Sequence, residues 1–192
     1  MYDETQLKII DATMTLIIEK GYSGTTTKNI ACLAGVNECT IFRRFSSKKD
    51  IILAAMELPR WNPCLREEDF IFHGDLISDL ISFSKVYMSK VTPEMVKVSI
   101  GLRTTELQGA ALQKILKVPM ICKKVLIGYF SMMQEKGFLK ACNIESAALQ
   151  FIALNFGFVF LDASFGKQLI GIEKAEYIEN SVALFVNGIG IK

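Results

Sequence analysis

An all-α fold in two domains is predicted by three observations. Apolar residues recur at intervals of three and four along most of the chain, no convincing run alternates apolar with polar residues as a half-buried strand would, and glycine, proline and capping residues fall at the gaps between helical stretches. With 192 residues, 51% of them apolar and 22% charged, the chain is neither disordered nor too short to bury a core. So large an apolar share points beyond the core to a face covered by a partner or to an apolar cavity.

The first helix follows Leu7, Ile10, Met14 and Ile17 and stops at Lys20-Gly21, a basic last turn before a residue that accepts positive φ. Thr25-Thr26-Thr27 supplies hydroxyls able to cap a second, short helix running to about Ala34. Gly35 makes the next turn, Val36 and Ile41 anchor either side of Glu38-Cys39-Thr40, and a third helix ends near Phe45. Ser47-Lys48-Lys49-Asp50 has capping-box form and opens a fourth helix expected to reach about Leu58. Pro59-Arg60-Trp61-Asn62-Pro63 then breaks helix geometry twice, which divides the chain into domains 1–58 and 59–192.

Beyond the boundary, Leu76, Leu80, Ser84, Tyr87 and Val91 line one helical face, with Asp75, Asp79, Ser82 and Lys85 elsewhere around it. Pro93 stands at a favoured first helical position, and Pro119 is expected to separate or kink two further helices. Helices near 120–136 and 145–164 follow, and the latter, apolar almost all round, is expected to be buried on every side. In the last, roughly 174–188, Ala175, Ile178, Val182, Phe185 and Ile189 repeat like a coiled-coil seam.

Ala31, Gly35 and Ile41 have the spacing of a helix-turn-helix: the alanine permits close approach, the glycine turns the chain, and the isoleucine seats the second helix on the first. Around them stand Gly21-Tyr22, Thr25-Thr26, Ile30-Ala31, Ala34-Gly35-Val36, Thr40, Phe45 and Lys48, twelve positions at fixed spacing. In these the stretch from Ile9 to Ile52 resembles the N-terminal DNA-binding domain of TetR-family transcriptional regulators. The resemblance implies a three-helix helix-turn-helix domain followed by a larger helical domain for effector binding and dimerisation. It places the helix near Thr40 in the major groove of double-stranded DNA.

The residues' own chemistry agrees. Between Lys28 and Lys49 five bases (Lys28, Arg43, Arg44, Lys48, Lys49) face one acid, Glu38, whereas residues 1–20 carry four acids and two bases, so the basic character is local. Thr26, Thr27 and Lys48 are candidates for phosphate contacts at helix starts. Lys28, Asn37, Glu38, Cys39, Thr40 and Arg43 are candidates for base edges, with Arg44 adding to the basic face. Phe42 stands where the family usually has tyrosine and offers apolar contact alone; Cys39 replaces a common glycine and adds a thiol.

The resemblance further implies a homodimer on a palindromic operator, most simply a repressor released by a small apolar or amphipathic effector. Core packing accounts for most C-terminal aromatics and methionines one by one. A cavity is assigned to Phe83, Tyr87, Met95, Arg103, Phe130, Met133, Phe151 and Asn155, and a dimer interface to Phe158, Ile178, Val182, Phe185 and Ile189. The alternatives are a corepressor-dependent regulator or activator of the same fold, or a helical dimer that binds a small molecule or protein and whose DNA binding is vestigial.

Other classes find little support. The apolar stretch Phe151–Leu161 is interrupted by Asn155 and stopped by Asp162, short of the roughly 18 residues of a membrane span. The opening Met1-Tyr2-Asp3-Glu4 lacks a signal peptide's basic segment, so a cytoplasmic protein without membrane contact is expected. Five cysteines without a CxxC pair and a single histidine, His73, give neither a disulfide framework nor a zinc site. No phosphate-binding glycine loop or nucleophile motif suggests an enzyme, and no cofactor is expected.

Overall fold

A computed structural model of the chain describes residues 2–102 and 109–190. Among them the fold is all-α, with α1 Glu4–Gly24, α2 Thr27–Ala34, α3 Glu38–Arg44, α4 Lys48–Ala55, α5 Leu76–Lys90, α6 Pro93–Gly101, α7 Ala110–Glu135, α8 Ile144–Phe165 and α9 Lys174–Ile189. The described residues contain no strand, only an isolated bridge between Leu139 and Gly190. The chain forms two compact units: a head of Met1–Pro63 with Glu94–Leu116, and a body of Cys64–Pro93 with Lys117–Lys192.

In the head, local chemistry sets the helix ends. Asp3 and Gln6 form a reciprocal capping box at the start of α1. Gly21, at φ 69°, ends the regular helix where the sequence places its end, and one further turn runs to Gly24. Thr26 caps α2, Gly35 closes it in the left-handed conformation at φ 67°, Asn37 caps α3 and Ser47 caps α4. α4 stops at Ala55 rather than near Leu58. There Asn62 Nδ2 donates to the Met56 carbonyl at 2.6 Å, and the N–H groups of Trp61 and Asn62 close on the Leu58 carbonyl, turning the chain out of the helix.

The head's core gathers Ile9, Ile10, Met14 and Ile17 of α1 with Ile30, Ile41, Phe45, Ile51 and Ile52. Val98 and Leu102, from the α6 region, complete it. Here Gly101 makes a close approach: a Cβ would lie 3.3 Å from Ile17 Cγ2 and 3.4 Å from its carbonyl oxygen.

In the body α5 packs on α8 and α9. Asp79, which the sequence places off the apolar face of α5, is 1% exposed. Its carboxylate accepts from the backbone N–H groups of His73 and Gly74, each at 2.8 Å, and from the Tyr129 hydroxyl at 2.7 Å. Burial raises its pKa, but these donors outweigh that and hold the carboxyl below the ordinary aspartate value. The polar residue is buried because it nails the 73–74 turn and α7 to α5.

Pro119 does not divide α7, which runs unbroken through it. One missing N–H removes one rung of the helix. Both flanks are held: Lys114 reaches α4 within the head, while Cys122, Leu126, Tyr129, Phe130 and Met133 are buried in the body.

α8 is not buried on all sides. Phe151, Ile152, Asn155, Phe158 and Val159 face the body's interior, whereas Leu149, Phe160, Leu161 and Phe165 are exposed. With a mean hydropathy of 1.6 over an 18-residue window, Ile144–Gln168 is also long and apolar enough to cross a membrane, contrary to the expectation from its interruption at Asn155. Its inward face is nevertheless that of a core helix.

Candidate nucleic-acid interface

α3 packs on α2 and buries a single residue, Ile41, in the head's core. Cys39, Phe42 and Arg43, at positions i, i+3 and i+4, therefore share its outward face. Phe42 is 56% exposed, an aromatic that nothing in its own unit covers. Thr40 is half-buried beside them, and Lys28 and Lys49 are exposed on neighbouring helix starts.

Several expected contacts are already committed inside the protein. Asn37 Oδ1 accepts from the Cys39 N–H at 3.0 Å, and Thr26 Oγ1 accepts from the Asn29 N–H at 3.2 Å, leaving the Thr26 hydroxyl proton free to donate. The Thr27 hydroxyl donates to Glu38, which ties the start of α2 to the start of α3. Arg44 forms an ion pair with Asp3 at 3.0 Å. Lys48 Nζ donates to the carbonyls of Tyr22 and Thr25, both at 2.8 Å, and lies 3.7 Å from the centre of the Tyr22 ring. Lys48 thus closes the turn between α1 and α2 as well as standing at the start of α4.

Within the body, Phe83, Tyr87, Phe130, Met133, Phe151 and Asn155, six of the eight residues assigned to a cavity, are each buried. Met95 is half-buried on α6, within the head, and Arg103 lies outside the described residues. Phe83 and Phe151 have ring centres 5.7 Å apart, and Phe185 of α9 lies 4.9 Å from Phe151 and 6.0 Å from Phe130.

The seam assigned to dimerisation points into the chain's own core. Phe158, Ile178 and Val182 are buried at 6%, 3% and 0% exposure, Phe185 joins the aromatic cluster, and Ile189 is half-buried. The outward apolar residues are different ones: Leu149, Ala153, Phe160 and Leu161 along α8, and Leu184, 76% exposed, on α9.

Sequence reasoning missed the contribution of α6 and α7 to the head. Lys114 Nζ donates to the Leu53 carbonyl at 3.0 Å and to Glu57 at 2.9 Å, so the helix after the recognition helix is held by the start of α7. No local motif marks such a contact.

A short helix seated by one isoleucine, capped by Asn37 and presenting an exposed face beside basic helix starts defines a helix-turn-helix DNA-binding protein. The chain belongs to the TetR family of transcriptional regulators. The family model described as bacterial regulatory proteins, tetR family, matches residues 9–55, and that described as the C-terminal domain of AefR-like transcriptional repressors matches residues 86–188. The chain is 30% identical over 187 residues to the uncharacterized HTH-type transcriptional regulator YvkB of Bacillus subtilis (strain 168), covering 96% of this chain and 97% of that protein.

Solved structures share the fold. NalD, the secondary repressor of the MexAB-OprM multidrug efflux pump in Pseudomonas aeruginosa, superposes with a TM-score of 0.74 at 18% identity over 97% of this chain and 96% of that one. FadR from Bacillus subtilis, in complex with stearoyl-CoA, gives 0.70 at 21% identity over 95% and 98%.

Proposed function

We propose that the protein is a cytoplasmic homodimeric repressor whose head reads a palindromic operator and whose body binds a small-molecule effector that releases it. The observation carrying this reading is the outward face of α3, where Cys39, Phe42 and Arg43 stand exposed among basic helix starts. Arg43 is the reader suited to a guanine edge, and Cys39, Phe42 and Thr40 are suited to apolar contact with a thymine methyl. Lys28, Thr26 and the α2 start serve phosphates. Glu38, Arg44 and Lys48 support the geometry through their internal bonds.

The dimer forms through the exposed faces of α8 and α9, led by Leu149, Phe160 and Leu184, since an apolar stripe of this kind calls for a cover. Two recognition helices would then enter successive major grooves about 34–36 Å apart. Coupling of roughly 1–3 kcal/mol between effector and operator suffices for a switch of about 5- to 150-fold. α6 and the start of α7 belong to the head's packing, beside α4.

The test is selection of bound duplexes from a random library by the purified protein at near-physiological salt, where nonspecific phosphate binding is suppressed. A recovered palindrome whose enrichment is lost in Arg43→Ala supports the reading. An unenriched library from folded protein overturns it.

A further inference from the structure

The geometry points to Asn155 as a ligand-recognition residue of the body, its side-chain oxygen accepting a hydrogen bond from an uncharged apolar molecule that carries a hydroxyl or N–H donor. This rests on reading the body as the effector-binding unit.

Asn155 lies on the inward face of α8 and is 3% exposed. Its Nδ2 donates to the Phe151 carbonyl, one turn back, at 2.9 Å, which settles the orientation of the amide and leaves Oδ1 as its other end. Oδ1 is buried and has no hydrogen-bond partner among the described residues. Buried acceptors in folded proteins are almost always paired, so this one marks a place for a donor. A core helix gains nothing from asparagine at such a position, because leucine would fill it without an unsatisfied oxygen.

The surroundings specify what the donor belongs to. The preceding turn carries Phe151, whose ring lies 5.7 Å from Phe83 and 4.9 Å from Phe185, so the nearby surface is aromatic. The buried polar residues of the body, among those described, are Asp79, Ser84 and Asn155, with no buried lysine or arginine. Among the described buried residues a carboxylate or phosphate would meet an acceptor and no cation, a burial that is strongly unfavourable. A cationic ligand would meet only an uncharged amide oxygen at Asn155, while the hydrogen-bonding capacity of the Asp79 carboxylate is taken up by His73, Gly74 and Tyr129. The Cys122 thiol, pushed up to about 12 by burial, stays neutral and supplies no charge. What remains is a neutral, mainly hydrocarbon ligand with one donor.

The experiment compares three probes of one shape, 2-naphthol, naphthalene and 2-naphthoate, for binding to the full-length protein by equilibrium dialysis. Naphthol is expected to bind on the order of tenfold more tightly than naphthalene, the effect of one buried hydrogen bond, with naphthoate weakest. Asn155→Leu should reduce naphthol to the level of naphthalene. Asn155→Ser, whose shorter side chain withdraws the acceptor while staying polar, should do the same and serves if the leucine variant fails to fold. Persistence of the naphthol advantage in the folded variants, or naphthoate binding as well as naphthol, overturns the inference. Failure of all three probes to bind overturns it too. Asn155-dependent binding that leaves operator affinity unchanged upholds it and overturns the proposed coupling to DNA instead.

Discussion

The Lys114 ammonium rests 3.0 Å from the Leu53 carbonyl, so the last turn of α4 is tied to the first turns of α7. Its ion pair with Glu57 is secondary, because Glu57 is 62% exposed and surface pairs contribute little. Lys114→Met should therefore destabilise the protein by about 1–2 kcal/mol, since a charged donor is withdrawn from a carbonyl. Glu57→Gln should cost less than about 1 kcal/mol. Urea midpoints of the two variants separate the contributions, and an equal loss in both would show that the ion pair dominates.

Lys48 and Arg43 should behave in opposite ways. Lys48 holds two carbonyls and a ring face, so Lys48→Met is expected to lower the melting temperature, with a loss of about 2 kcal/mol. Arg43, exposed on α3, should leave the melting temperature unchanged when replaced by alanine, yet weaken binding to the selected operator by about 1–3 kcal/mol. Thermal denaturation paired with operator titration reads both.

Asp11 holds Trp61 Nε1 at 3.0 Å through one oxygen and Arg60 at 2.6 Å through the other. Trp61 is 8% exposed and is the chain's single tryptophan, so its fluorescence reports this contact directly. Asp11→Ala leaves the indole N–H without its acceptor and should cost about 1–3 kcal/mol. A red-shifted emission is expected alongside; an unshifted spectrum would mean that the Pro59–Pro63 segment is held by packing alone.

The Asp79 carboxyl is lowered below its ordinary value, so its ionised form is favoured in the folded state. The corresponding stability is present above the unfolded aspartate pKa of about 3.9 and is lost as pH falls through the lower folded value. In Asp79→Asn the fall in stability below about pH 4 should be shallower than in the parent protein, at the cost of lower stability at neutral pH. Denaturant titrations at a series of pH values test the slope, and identical slopes would remove Asp79 from the acid response.

These residues also show where sequence reasoning reaches and where it stops. Thr26, Gly35, Asn37 and Ser47 do their work within four residues of themselves, which is why the head's helix starts and turns could be read from the chain. Asp79 could not, because its partner Tyr129 is fifty positions away and a carboxylate at helical spacing looks solvated until that partner is known. The stripe Ile178–Val182–Phe185 was legible as apolar, but periodicity does not say whether it meets its own chain or another, and it meets its own. Pro119 shows the same limit: the missing hydrogen bond was visible, whereas the anchoring on both sides that keeps α7 continuous was not. Among the residues expected at DNA, the internal duties of Thr27, Glu38, Arg44 and Lys48 depend on partners that only the fold brings beside them.

Val98 and Leu102 sit in the head's core although some forty residues separate them from Pro63. On the ribosome, where chains emerge at roughly 5–20 residues per second and early domains ordinarily fold first, this protein's leading segment completes its core only when a later one has emerged. Ile17 faces an unfilled gap until Gly101 arrives beside it, an interval on the order of seconds in which α1 to α4 form an unfinished bundle. The birth of the DNA-reading surface is thereby delayed until synthesis has passed the middle of the chain, and a nascent fragment ending before α6 presents apolar surface to chaperones rather than a finished reader to DNA.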